Sequence, residues 1–295
     1  MNTVIVTGSS GFIGRQVVRT ILDTTPYIVY GFDLKPSDIT HHRFKELISL
    51  NGQITEFMND FKAPSYFIHC AAQIDVVESM LNPLADATSN IFLTINLLQS
   101  LDLTECRAFT YINSGGAIYS PFAELPLTEN STVDPQSFYG LSKFVAEKYV
   151  EKFCHLHSIP WSSLALSNVY GHLNDNRKGV IFLFASKMLR GDDIVLFGKE
   201  TTRDFIHVQD VVDAVIKSLA KPTNCRIHIS SGVETSIEDL FLLIKECLGV
   251  QAHYRNLPMR AGEVARSVLD NSKAREFLEW EPRIDLKTGL RLSIL

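Results

Sequence analysis

From residue 3 to about 170 the chain alternates short apolar runs with stretches whose apolar positions recur every three to four residues. That is the rhythm of strand–helix–strand units laid into a parallel sheet. Runs rich in β-branched and aromatic residues predict strands around Val4–Val6 and at Ile28–Asp33, Glu46–Leu50, Tyr66–Ala71, Ala108–Asn113 and Ser162–Leu166. The amphipathic run Gln16–Leu22 predicts a helix behind the first strand, and further helices are expected over Gln53–Phe61, Leu84–Ser100 and Ser137–His155. Beyond Gly171 the alternation breaks down. A polar loop, Leu173–Lys178, precedes a helix-like Val180–Leu189, a strand near Ile194–Phe197, and helices at Val211–Leu219, Ser236–Leu248 and Ser272–Leu278.

The first strand runs straight into Thr7-Gly8-Ser9-Ser10-Gly11-Phe12-Ile13-Gly14. The middle of this ladder lacks side chains where a pyrophosphate has to approach backbone N–H groups, and the following helix turns its positive end toward that phosphate. A G-x-x-G-x-x-G string also arises by accident in loops, so its weight rests on the strand before it and the amphipathic helix after it. The second strand ends in Asp33, nineteen residues after Gly14. A carboxylate there accepts hydrogen bonds from adenosine ribose hydroxyls and repels a 2′-phosphate, so NAD is expected over NADP, with Lys35 near enough to soften the choice. The plainer alternative is a strand-end aspartate starting a turn toward Pro36. The expected architecture is α/β: a doubly wound parallel sheet of Rossmann type over residues 1–170, and a smaller mixed α/β C-terminal cap over 171–295, with some of its elements returning to the first domain.

Composition narrows the partners. Hydrophobic residues make up 45% and charged residues 21% of 295 positions, and the net charge is −5, which points away from nucleic-acid and membrane surfaces. Five cysteines, widely spaced and without a C-x-x-C pair, read as reduced thiols of a cytoplasmic protein. A first strand at residue 3 leaves no room for a signal peptide, and no apolar run is long enough to span a bilayer. Nine histidines show no H-x-x-x-H pair and no Cys/His cluster, so no metal is expected.

Candidate chemistry lies in Tyr139-Gly140-Leu141-Ser142-Lys143. Four residues apart in a helix, Tyr139 and Lys143 share a face, so one ammonium can act on one phenol. A free tyrosine, with a pKa of about 10, is too weakly acidic to be a base at neutral pH, but a nearby Lys⁺ and an oxidised nicotinamide both favour the phenolate. Upstream, the strand Phe109–Asn113 ends at Ser114, whose hydroxyl can share a substrate proton with Tyr139 or merely cap a glycine-rich turn.

Taken together, these landmarks resemble the extended short-chain dehydrogenase/reductase family, in its nucleotide-sugar epimerase branch. The resemblance also rests on Ile68-His69-Cys70-Ala71-Ala72-Gln73, Asn90 before an apolar helix, Asn168-Val169-Tyr170-Gly171, Arg203–Asp210 and Arg260-Ala261-Gly262-Glu263-Val264. It implies hydride removal and return at a sugar C4 through a 4-keto intermediate, with Tyr139, Lys143 and Ser114 as the catalytic set. It places Gly8, Gly11, Phe12, Ile13, Gly14, Asp33, Leu34, Leu50, Ala71, Ala72, Gln73 and Asn90 around NAD, together with Tyr139 and Lys143. Ser114, Gly115, Asn168, Arg203 and Arg260 then face the nucleotide-diphosphate sugar, where a guanidinium fork bonds phosphate oxygens in pairs. A homodimer through the helices at Leu84–Ser100 and Ser137–His155 is likewise implied by the resemblance.

The chain also departs from that pattern. Many relatives carry the catalytic hydroxyl at the position of Gly115, one residue after Ser114. Ser49-Leu50 stands where an aspartate often meets the adenine, and Ala165 where an arginine is common. Gly116-Ala117 replaces the Asp-Glu pair of sugar dehydratases, which disfavours dehydration. A 4-keto-sugar reductase that releases its cofactor each turnover would use the same Tyr and Lys. A non-catalytic dinucleotide sensor would need neither.

Overall fold

The computed structural model describes residues 2–48, 64–100, 102–172, 179–259 and 264–294. Seven strands form one sheet in the order β10-β6-β5-β4-β1-β2-β3, every neighbouring pair parallel. They are β1 (Thr3–Thr7), β2 (Ile28–Asp33), β3 (Phe44–Ile48), β4 (Tyr66–His69), β5 (Ala108–Ser114), β6 (Trp161–Leu166) and β10 (Arg226–Ile229). Val4, Ile5 and Val6 are buried together, as in a strand covered on both faces, which is why this sequence reads as continuous rather than alternating apolar. The chain winds outward through β2 and β3, then starts again on the other side of β1 with β4. Between those two directions lies the crevice in which doubly wound sheets bind ligands. Thr7 and His69 are register partners at its floor, so Gly8 and Cys70 leave the sheet side by side.

Helix α1 (Phe12–Thr24) buries Gly14, Val17, Val18, Ile21 and Leu22, a stripe at helical spacing against the sheet. The expected helix at Leu84–Ser100 is interrupted. The segment consists of α2 (Val76–Leu81), α3 (Pro83–Ala87), one π-helical turn over Thr88–Phe92, and α4 (Leu93–Ser100). Pro83 opens α3 because it lacks the N–H that would continue α2. Helix α5 (Phe138–Leu156) is capped by the Ser137 side chain, which accepts the Gly140 N–H, and packs against α2, α3 and α4.

Smaller elements complete the molecule: β7 (Asn168–Tyr170), α6 (Val180–Arg190), β8 (Ile194–Phe197), β9 (Thr202–His207), α7 (Val208–Ala220), β11 (Glu234–Ser236), α8 (Ile237–Leu248), β12 (Tyr254–Leu257), α9 (Ser272–Leu278) and α10 (Leu286–Ile294). Strands β11, β9 and β7 form a three-stranded sheet, and β12 pairs with β8. The chain nonetheless returns to the main sheet after residue 171. Helix α7 packs beside α1 in the same core cluster, and β10 extends the sheet beyond β6. The expected helix at Val211–Leu219 thus begins three residues earlier, directly behind β9, and the expected strand at Glu46–Leu50 is observed at Phe44–Ile48. Residues 49–50, the helix expected at Gln53–Phe61 and the polar loop at 173–178 lie outside the described residues.

Candidate active site

The glycine ladder turns tightly at the end of β1. Gly8 has φ +69° and lies so close to the chain after β4 that a Cβ would come within 2.8 Å of the Ala71 nitrogen. A Cβ on Gly14 would overlap the Gly8 carbonyl oxygen. Gly11 is the N-cap of α1 and has no side chain to bond the first-turn amides, which are left for a ligand. Phe12 and Ile13 are half-buried at that turn. Asp33 closes the far side. Its Oδ2 accepts the Ser10 N–H at 2.9 Å, and its Oδ1 accepts those of Leu34 and Lys35 at 2.7 and 3.2 Å. Three amides thereby hold the carboxylate at the ladder. An uncapped helix N-terminus beside a fixed carboxylate suits a pyrophosphate and an adenosine ribose, so these residues fit NAD.

Beneath the crevice runs a hydrogen-bonded chain that spacing alone does not reveal. Thr94 Oγ1 donates to the Asn90 carbonyl at 2.6 Å and so can only accept from His69 Nε2 at 2.9 Å. His69 Nδ1 therefore accepts from Thr7 Oγ1 at 2.6 Å, and Thr7 Oγ1 accepts the Ala71 N–H at 3.2 Å. Burial, reinforced by Lys143, pulls the His69 pKa down to about 3, so the imidazole stays neutral. Asn90 is buried in the π-helical turn. Its Oδ1 accepts the Gln73 N–H at 2.8 Å, and its amide nitrogen reaches the Gln73 carbonyl, Asp86 Oδ1 and Ser142 Oγ at 3.0–3.1 Å. Gln73 also donates to Asp86 Oδ1 at 3.1 Å. Ala71, Gln73 and Asn90 are thus brought together with the start of α5, and Ala72 lies half-buried between the first two.

Tyr139 and Lys143 stand on α5 facing the end of β5. Burial raises the pKa of the Tyr139 phenol to about 12, while the nearby Ser114 side chain opposes the rise. Lys143 is 4% exposed, and its ammonium donates to the Ile112 carbonyl at 2.7 Å. It also sits 4.3 Å from the centre of the Tyr111 ring, whose hydroxyl donates to the Lys143 carbonyl at 3.3 Å. The partners of the ammonium are thus the Ile112 carbonyl and the Tyr111 ring. Lys143 is held by the backbone and ring of β5, where its long stem carries the charge. Burial lowers its pKa to about 7, opposed by Cys70, Glu147 and Asp86.

On the substrate side, Gly115 donates its N–H to the Leu166 carbonyl at 2.8 Å, and exposed Asn168 begins β7 just beyond β6. Arg203, on β9, donates to the Thr202 and Val264 carbonyls at 2.7 and 2.9 Å. A cavity of about 370 Å³ borders Gly116 and is walled by Tyr119, Leu127, Ala265 and Arg266. Neither Tyr139 nor Lys143 lines it, so it flanks the reacting groups rather than enclosing them. Leu50 and Arg260 lie outside the described residues. Among the described residues there is no group of three or more His, Cys, Asp or Glu side chains placed to hold a metal ion, and no helix is long and apolar enough to cross a membrane.

Comparison with known proteins finds relatives along nearly the whole chain. A protein of Methanocaldococcus jannaschii assigned as a UDP-glucose 4-epimerase is 36% identical over 98% of this chain and 96% of its own length. The UDP-glucose 4-epimerase of Mycolicibacterium smegmatis is 32% identical over 98% of this chain and 96% of its own. The crystal structure of the Thermotoga maritima UDP-glucose 4-epimerase with UDP-glucose superposes with a TM-score of 0.92 at 32% identity, covering 99% of this chain and 97% of that one. Residues 4–229 match the NAD-dependent epimerase/dehydratase family, and the chain belongs to it.

Proposed function

We propose that this protein interconverts UDP-hexoses epimeric at C4, keeping NAD bound throughout. The observation that carries the reading is the meeting of Tyr139, on α5, with Ser114, at the end of β5, in a sheet whose glycine ladder leads into an uncapped helix N-terminus. NAD, when bound, supplies the hydride acceptor and donor that a C4 inversion through a 4-keto sugar needs. Tyr139, as the phenolate that the Lys143 charge and an oxidised nicotinamide would favour, would take the proton of the C4 hydroxyl and return it when the hydride comes back, with Ser114 sharing that proton. Lys143 contributes positive charge and reaches toward the nicotinamide ribose once its bond to Ile112 is released. Gly8 to Gly14 hold the pyrophosphate, Asp33 and Leu34 the adenosine ribose, and Ala71, Ala72, Gln73 and Asn90 the inner half of the cofactor. Gly115, Asn168 and Arg203 face the nucleotide-diphosphate sugar, with Arg260 assigned the same role from the sequence. Residues 1–170 form the cofactor-binding part, and 171–295 contribute the cap.

The chain works as a homodimer. Val77, Met80, Leu81, Leu84, Leu141 and Tyr149, on α2, α3 and α5, are each at least 45% exposed. An apolar surface of that extent suits a second copy of itself. Five free cysteines favour a reducing, cytoplasmic setting. The test is to assay the purified protein for bound NAD, its mass in solution, and conversion of UDP-glucose to UDP-galactose without added reductant. Bound NAD with turnover is expected. An empty protein that consumes NADH stoichiometrically with a 4-keto sugar would make it a reductase.

A further inference from the structure

A buried ion pair lies directly beneath the reacting groups. Glu147 follows Lys143 by one turn of α5 and is 1% exposed. Its carboxylate accepts from Arg226 Nε at 2.9 and 3.1 Å, from the Arg226 terminal nitrogen at 2.7 Å, and from Ser163 Oγ at 2.8 Å. Asn113 Nδ2 donates to the same carboxylate, while Asn113 Oδ1 accepts the Ser114 N–H at 2.8 Å. The Asn113 amide is thereby fixed in one orientation. One end grips the helix of Tyr139 and Lys143; the other grips the backbone of Ser114. Arg226, on β10, also donates to Tyr119 Oη at 3.3 Å.

We propose that the Glu147–Arg226 pair, acting through Asn113, positions the Ser114 hydroxyl against Tyr139, making all three positioning residues for proton transfer. This rests on the function proposed above. The brace spans the two elements, α5 and β5, whose spacing sets the distance between Ser114 and Tyr139. Its geometry also shows where a substitute cation would work. Ala165 is the register partner of Asn113 on one side and of His228 on the other, and it shares the sheet face of Ser163, which touches Glu147. An arginine at 165 would approach the same carboxylate from the adjacent strand.

Two proteins test this against wild type. Glu147→Met with Arg226→Met removes both charges while keeping volume, a change that buried pairs often tolerate in stability. Arg226→Ala with Ala165→Arg relocates the cation. The first is expected to fold and retain NAD, with kcat lowered about 10²-fold and KM little changed, as for a misplaced reacting group. The second is expected to recover most of that kcat. Crystal structures of both give the Ser114 Oγ–Tyr139 Oη separation, which needs no substrate: lengthened in the first, restored in the second. An unchanged separation in the charge-free protein overturns the proposal, as does a folded relocated-cation protein whose separation stays long. A wild type inactive on UDP-glucose but with these separations would sink the UDP-hexose reading alone.

Discussion

Tyr139 and Lys143 share a helix face, yet the same burial pushes the phenol toward its neutral form and the amine toward losing its charge. Tyr139→Phe removes only the hydroxyl. It should fold and bind NAD while turnover falls about 10²–10⁴-fold, the usual range for a positioned acid/base; near-normal turnover would remove Tyr139 from the mechanism. Lys143 has a folded pKa of about 7 against 10.5 unfolded. Its buried ammonium therefore destabilises the fold fully below pH 7, and the penalty fades as pH rises toward 10.5. Lys143→Met should accordingly be more stable than wild type at pH 6, by about 1–4 kcal/mol, with the gap closing by pH 10 in urea titrations. A gap independent of pH would show that the charge is not what costs stability. The tight turns at Gly8 and Gly14 were legible from the sequence because close backbone approach leaves few residue types there. The resting place of Lys143 was not, since helical spacing says which face a residue takes but not how far a flexible stem reaches.

Strands β1, β2, β4, β5 and β6 are legible as elements because each is apolar on both faces. The strands β7, β11 and β12 are three or four residues long and partly exposed, and β9 opens on the polar run Thr202-Arg203-Asp204, so none carries a comparable pattern. The break within the helix expected at Leu84–Ser100 arises from tertiary contacts: the π-helical turn carries Asn90, which bonds Gln73, Asp86 and Ser142 at once. Such turns occur often at functional sites. The same turn ends the His69 chain, because Thr94, on α4, donates to the Asn90 carbonyl. Replacing Thr94 by valine would leave the His69 Nε2–H buried without its acceptor, at a cost of about 1–3 kcal/mol in denaturant unfolding. An unchanged midpoint would mean that His69 finds another partner.

Across the whole molecule, three histidines are held neutral by burial: His69 near pKa 3, and His207 and His228 near 4. Unfolding exposes each to an ordinary pKa of about 6.5, so the unfolded chain binds protons that the folded one refuses. Stability should hold above pH 6.5 and fall by several kcal/mol in total between pH 6.5 and 4, with His228→Gln showing a shallower fall. Equal slopes for the two proteins would shift the acid sensitivity to other groups. Long-range pairings of this kind were the least legible: Glu147 and Arg226 stand 79 residues apart, and no local pattern joins them. The return of α7 and β10 to the main sheet has a wider consequence. A gene cut after codon 171 would not release a self-sufficient nucleotide-binding module, since it would strip away the strand beside β6 and the helix beside α1. The later part of the chain is woven into the sheet rather than appended to it, so the two parts are expected to have been inherited together and to unfold together.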